Sequence, residues 1–256
     1  MRLPADIGET VTVRRLYAPA LPAAGGFVVL GPGPSRHVRV LRLRAGDQAL
    51  LFDGLGKTAR ARVTEVGEQV TCESEVPVEA EPRRARVVLM LAIPKGAKLD
   101  ECVRMATELG VDEIVLMRTE RTVPQWDAER MRSRVDRLTR IASEAAAQCE
   151  RSDVPIIHAP VSCDACLAQV PATAKAVLFG ARATDAVHLG AAPEQVWCAI
   201  GPEGGFTEGE VASFRNAGFS IASLGRWVLR VDTAVAAALT LVQDRLHADF
   251  ASSLTG

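Results

Sequence analysis

The chain has 256 residues, 48% hydrophobic and 24% charged, with 20 glycines and 14 prolines, a balance that excludes disordered, collagenous and fibrous classes and suits one large domain or two modest ones. The formal net charge of −1 advertises no global basic field, yet residues 1–64 hold ten Lys or Arg against four acids, while residues 65–82 hold six Glu and no base. Apolar runs such as 87–93 and 234–242 are far shorter than the ~20 residues that cross a bilayer, and the start shows no basic-then-apolar leader, so a cytoplasmic protein without a membrane segment is expected.

Residues 10–80 read as short strands at 10–16, 27–30, 37–43, 49–52, 59–66 and 70–76, with turns at 31–34, 45–47 and 53–56. They predict a small β-barrel. From residue 86 the pattern changes to apolar strands at 87–93, 113–117, 176–179, 196–200 and 220–224, separated by helical stretches, which predicts an α/β unit with a mostly parallel sheet. The Glu-rich stretch 75–85 is the natural linker, giving domains at 1–78 and 79–256. Gly110 ends a helix at 98–109, Thr207 and Glu210 form a capping box with Gly218 as the stop, and Asp232 with Thr233 caps an Ala-rich run at 234–248. On a helix at 141–155, Glu144, Gln148 and Arg151 share a face, either a working face or a solvated one.

Several motifs have weaker readings than their letters suggest. Gly56, Lys57 and Thr58 lack the earlier glycine of a phosphate loop, since Leu51 stands there, and they join two strands, so a hairpin is expected. Cys163 and Cys166 have the spacing of a zinc half-site without a second half, and the six scattered cysteines predict reduced, structural thiols and no bound metal. The sharpest signal is the apolar strand at 196–200 running into Gly201, Pro202, Glu203, Gly204 and Gly205, then a capped helix. Such glycines let a ligand lie against bare backbone, and ligands sit at the carboxyl ends of parallel strands. Two more loops share that edge: Leu224 to Arg230 with its Gly225, and the end of the strand at Leu178, Phe179 and Gly180. The basic stretch with Arg36, His37, Arg39 and Arg42 offers cations to phosphates or forms a salt-bridged barrel surface.

Taken in order, these motifs resemble the RsmE-like family of the SPOUT superfamily, the 16S ribosomal RNA uracil-N3 methyltransferases, over nearly the whole chain. The resemblance rests on residues 37–46 and 51–54, Lys95 with 106–110, Glu144 to Gln148 with Arg151 and Pro155, Gly201 to Gly205, and Leu224 to Arg230 with Thr233 and Ala234. It implies a PUA-like barrel for RNA, an α/β domain tied in a trefoil knot, a homodimer and S-adenosylmethionine as cofactor, with ribosomal RNA or the small subunit as partner. Cofactor contacts would come from Leu178, Phe179 and Gly180; from Ile200, Gly201, Pro202, Glu203, Gly204 and Gly205; and from Leu224, Gly225, Val228, Leu229, Arg230 and Thr233. RNA contacts would come from Arg36, His37, Arg39, Arg42, Lys95, Gln148 and Arg151. Catalysis would fall to Arg230, which stabilises charge on a uracil carbonyl, and to Glu203 or Asp232, which takes or relays the N3 proton. Where the family commonly has Pro or a small residue, then Ile, and later Glu, this chain has Trp227, Val228 and Asp232. A catalytically silent RNA-binding scaffold and a SPOUT enzyme for a different RNA are the alternatives.

Overall fold

The computed structural model describes residues 14–78, 85–96, 98–122, 126–180, 183, 185–190 and 193–253. Contacts divide the chain into two units, residues 1–81 with 150–153, and residues 82–149 with 154–256. Of the sequence expectations, strand residues 10–13, most of the 75–85 linker and part of the loop after Gly180 lie outside the described residues.

In the first unit, alternation along the chain becomes a half-buried sheet. Ala59, Ala61 and Val63 point inward between Arg60 and Arg62, which face out. The elements are β1 (Arg14–Tyr17), β2 (Phe27–Val29), α1 (Pro32–Val40), β3 (Gln48–Phe52), β4 (Thr58–Val66) and β5 (Val70–Val78). The strands pair in the order β1-β3-β4-β5-β2, with β1 parallel to β3 and the other ladders antiparallel. Leu16, Leu30, Val38, Leu51, Val63 and Val70 form the core. At the β3–β4 turn the Asp53 carboxylate accepts N–H bonds from Leu55 at 2.7 Å and Lys57 at 3.0 Å, so the Gly-Lys-Thr run is hairpin.

One expected strand is a helix. Residues 37–43 alternate like a strand, but the turn expected at 31–34 instead opens α1, with proline in its first turn, and the Gly31 carbonyl accepts the Ser35 N–H at 3.0 Å. Only Ser35 and Val38 are buried, three positions apart, while Val40 is 72% exposed. Proline's preset φ and the i, i+3 burial overrode the period-two pattern.

The second unit contains β6 (Arg86–Ala92), α2 (Lys98–Glu108), β7 (Glu113–Arg118), α3 (Ala128–Gln148), β8 (Ile156–Ser162), α4 (Cys163–Leu167), β9 (Lys175–Phe179), β10 (Gln195–Ile200), α5 (Glu208–Asn216), β11 (Ser220–Ala222) and α6 (Val231–Ser253). All six strands are parallel, in the order β11-β9-β10-β6-β7-β8. A parallel sheet must be covered on both faces, which explains its unbroken apolar strands. Val87, Leu89 and Leu91 pack on one side with α2 and α6, while Val88, Met90 and Ala92 pack on the other with Cys166 and Phe214. Cys163 and Cys166 are thus buried core thiols on α4, and burial pushes them up to about 11 and about 12. Strand order reverses between β6 and β10, placing a topological switch point at their carboxyl ends.

Three details differ from the sequence reading. Strand β8 and helix α4 were not expected. Helix α6 begins at Val231, so Asp232 lies in its first turn rather than before it. The helix expected to run through residue 155 stops at Gln148, because Cys149 caps it and Glu150 takes φ +65°.

Candidate functional site

Because the sheet is parallel, all six strands bring their carboxyl ends to one edge. The register sets Phe179 beside Ile200, Ile200 beside Leu91, Ala92 beside Met117 and Ala222 beside Phe179. The loops after β6, β9, β10 and β11 are therefore neighbours.

The loop after β10 holds Gly201 to Gly205 and is built to a fixed shape. A Cβ on Gly201 would stand 2.9 Å from the Phe206 ring, and Gly205 closes a turn to the Pro202 carbonyl at 2.8 Å with φ +68°. Thr207 then opens α5 with the expected capping box, in which the Thr207 hydroxyl accepts from Glu210 N–H and the Glu210 carboxylate accepts from Thr207 N–H at 2.8 Å. Glu210 is buried and also accepts the Glu120 N–H at 2.8 Å, which locks this loop to the end of β7. Arg121, from the same β7 loop, donates to the Gly204 carbonyl.

Glu203 is the loop's only carboxylate. Its Oε1 lies 3.1 Å from Lys98 Nζ, and its Oε2 accepts the Lys95 N–H at 3.3 Å. Burial opposes its ionisation, but hydrogen bonds from its own backbone, Lys98 and Lys95 prevail, and its pKa lies below the ordinary glutamate value. The loop after β6 is thereby tied to the loop after β10.

The third wall follows β11. Gly180 N–H donates to the Ala222 carbonyl at 3.1 Å, and Ser223 N–H to the Asp185 carbonyl at 2.8 Å. Gly225 takes φ +118°, which only glycine adopts without strain. Beyond it Arg226 stacks on Trp227 with its guanidinium 4.9 Å from the ring centroid, and Trp227 and Val228 are 72% and 76% exposed. Arg230 is exposed and Thr233 is exposed, whereas Asp232 Oδ1 is closed off from solvent with no hydrogen-bond partner among the described residues. A buried carboxylate oxygen without a hydrogen-bond partner is costly. Behind it, burial above all, and then the Asp232 and Glu203 charges, push the Cys102 thiol up to about 12.

The expected cofactor residues thus come together at the strand ends, though with a division of labour. Leu178, Phe179, Ile200 and Pro202 are buried, Leu224, Leu229, Gly180, Gly201 and Gly205 half-buried, and Glu203, Gly204 and Gly225 exposed. Lys95 is exposed on the same edge, and Gln148 is exposed at the end of α3. In the first unit, Arg36, His37 and Arg42 are exposed on or just after α1; Arg39 is committed to the Gly67 and Glu68 carbonyls at 2.9 and 2.7 Å. Arg151 belongs to the first unit, pairs with Asp153 at 2.7 Å, and shares no helical face with Gln148. Lys98 and Arg121 went unread in the sequence because nothing in their spacing marks them; only the sheet brings them to the glycine loop. Among the described residues no group of three or more His, Cys, Asp or Glu is placed to hold a metal ion, and no helix is long and apolar enough to cross a membrane.

Comparison with known proteins agrees with this geometry. Residues 81–243 match the model of an RNA methyltransferase domain and residues 35–73 that of an RNA methyltransferase PUA domain. Ribosomal RNA small subunit methyltransferase E of Synechocystis sp. is 32% identical, over 82% of this chain and 70% of its own length. The protein of the same name from Mycobacterium bovis is 30% identical, over 88% of this chain and 89% of its own. The structure of ribosomal RNA small subunit methyltransferase E from Neisseria gonorrhoeae bound to S-adenosyl methionine superposes with a TM-score of 0.84 at 27% identity, covering 91% of this chain and 97% of that one. A Legionella pneumophila protein in complex with the same cofactor gives 0.85 at 30% identity, covering 92% and 98%. With a family model spanning most of its second unit and relatives matching along nearly its whole length, this chain belongs to the RNA methyltransferase family that includes ribosomal RNA small subunit methyltransferase E.

Proposed function

We propose that this protein is an S-adenosylmethionine-dependent methyltransferase for N3 of a uridine in small-subunit ribosomal RNA, acting as a homodimer whose first unit grips the RNA. The observation that carries the reading is the Asp232 Oδ1, closed off from solvent and without a hydrogen-bond partner among the described residues, two positions along the chain from the exposed Arg230, at an edge where three glycine loops converge. The trefoil knot belongs to the same reading, which the strand order β11-β9-β10-β6-β7-β8 supports.

The residues present suit that cofactor. Gly180, Gly201, Gly204 and Gly225 add no side chains of their own at this edge, and the sheet supplies apolar backing through Phe179 and Ile200. When bound, S-adenosylmethionine supplies an electrophilic methyl on a sulfonium, so the chain must align acceptor with methyl and manage one proton.

Uracil N3 carries a proton at neutral pH and becomes nucleophilic only on losing it. Glu203 is poorly suited to accept it, since Lys98 and two N–H groups hold it as a settled carboxylate. Asp232 has an oxygen with no hydrogen-bond partner among the described residues and is the better acceptor. Arg230 places a permanent cation at the mouth, where it stabilises negative charge on the adjacent uracil carbonyl as the proton leaves. N3 is on the pairing edge, so the uridine must be unpaired or turned out of its helix.

The test is transfer of radiolabelled methyl to small ribosomal subunits lacking the modification, with nucleoside analysis of the product. Appearance of 3-methyluridine is expected. Cofactor binding without transfer would leave the reaction class and overturn the substrate; absence of both would leave a silent scaffold. Arg230→Ala is expected to lower turnover at least ~100-fold with an unchanged melting temperature, because Arg230 is exposed. Near-normal turnover would remove Arg230 from this role.

A further inference from the structure

The first half of α3 carries a feature that the site above does not use. Arg130, Arg134 and Arg137 follow one another at helical spacing and line a cavity of about 470 Å³ together with Trp126 and Pro94. The Arg134 guanidinium stands 5.8 Å over the Trp126 ring, within cation–π range. Arg137 is held by Asp100 of α2, leaving Arg130 and Arg134 as the cations that face the opening. Two further arginines, Arg132 and Arg140, continue the charge along the helix, against Glu129 and Asp136.

We propose that this groove binds the single-stranded RNA that flanks the target uridine. The proposal deepens the methyltransferase reading and rests on it for the identity of the RNA. Three observations support it. The first is chemistry: planar guanidiniums grip phosphates in two-point fashion, and Arg134, held over the half-buried Trp126 ring, sets a flat cation and an aromatic surface together where a base can lie. An acidic peptide would use the arginines but has no need of the indole. The second is size, since a cavity of about 470 Å³ is enough for one nucleotide. The third is position. Pro94 and Gly96 form one wall of the groove, and Lys95 between them donates its N–H to Glu203, so the groove opens from the loop that borders the cofactor edge. A strand whose uridine enters the site would run onto Trp126 and the α3 arginines.

The experiment is binding of a fluorescein-labelled single-stranded RNA dodecamer with one central uridine, followed by anisotropy across a salt series, in the full-length protein. In Arg130→Glu/Arg134→Glu the RNA dissociation constant should rise at least tenfold, and the salt dependence should flatten by about 0.7 in log–log slope for each phosphate that the variant no longer neutralises. Trp126→Ala should weaken binding several-fold and Trp126→Phe should restore most of it, a rescue that a purely electrostatic patch would not show. S-adenosylmethionine affinity and the circular dichroism spectrum should be unchanged in all variants, and KM for the ribosomal substrate should rise. Folded variants with wild-type RNA affinity and salt slope overturn the proposal, as does a wild-type protein with no affinity for the dodecamer. If the variants change only the mass in solution, the groove is a contact between copies and the proposal also fails. The two readings fail separately: a protein that binds the dodecamer through these residues yet methylates no RNA refutes the reaction and keeps the groove. A protein that methylates with unchanged KM in the variants keeps the reaction and loses the groove.

Discussion

Asp232 and Glu203 show how two carboxylates at one edge meet opposite surroundings. Glu203 is held by Lys98 and the Lys95 N–H, whereas one Asp232 oxygen is buried and has no hydrogen-bond partner among the described residues. Replacing Asp232 by Asn should therefore leave stability unchanged or raised by up to about 1 kcal/mol, because a poorly solvated charge is removed, while methyl transfer falls roughly 100-fold. Urea unfolding alongside a methyl-transfer assay checks both, and a variant that loses stability together with activity would argue for a structural Asp232. For Glu203 the sign follows from its lowered pKa: the contacts stabilise the fold above the ordinary glutamate value and are lost as pH falls through the folded-state value. Lys98→Ala should move the Glu203 titration upward, toward the ordinary value, in a carbon-13 NMR pH series. An unmoved titration would mean the backbone donors alone hold it.

Between strand and helix, the glycine loop after β10 owes its shape to a chain of aromatic contacts. Phe206 lies against Gly201, Phe206 meets Phe214 edge-on at 5.0 Å, and Phe214 meets Phe219 at 4.9 Å. Gly201→Ala would put a methyl 2.9 Å from the Phe206 ring and force this stack to shift. The expected cost is about 1–3 kcal/mol, read by denaturant unfolding, with a larger loss in cofactor affinity read by calorimetric titration. Full retention of affinity would show that the ring moves aside freely. The capping box of α5 was legible because its four residues are contiguous and their chemistry is local. The fate of 37–43 was not, because β-branched and charged residues alternate there while the decisive signal, proline at the start of α1, sits upstream.

For the molecule as a whole, burial governs the thiols. Cys72, Cys102, Cys163, Cys166 and Cys198 are buried and Cys149 is half-buried. Desolvation pushes Cys72 up to about 11 and Cys198 up to about 12, so neither offers thiolate near neutrality. Titration of the native protein with an aromatic disulfide at pH 7.5 should label Cys149 first and the other five only on unfolding; rapid labelling of Cys102 would show that the wall behind Asp232 opens. The two units each carry a core of their own, and the four residues 150–153, far along the chain, return to the first unit, where the Gly56 N–H donates to the Ser152 carbonyl at 3.1 Å.

What the sequence determined by itself was local: the glycine runs at the ends of apolar strands, the capping box at Thr207, the hairpin at Asp53, and the change from half-buried to fully buried strands that separates the units. Each rests on neighbours within a few residues, where propensity and hydrogen bonding act directly. The tertiary structure alone decided which loops share an edge, because strand order in a parallel sheet is set by packing of both faces. That order joins Lys98 and Arg121 to the Gly201 loop, and packing outside the sheet sends Arg151 to the other unit.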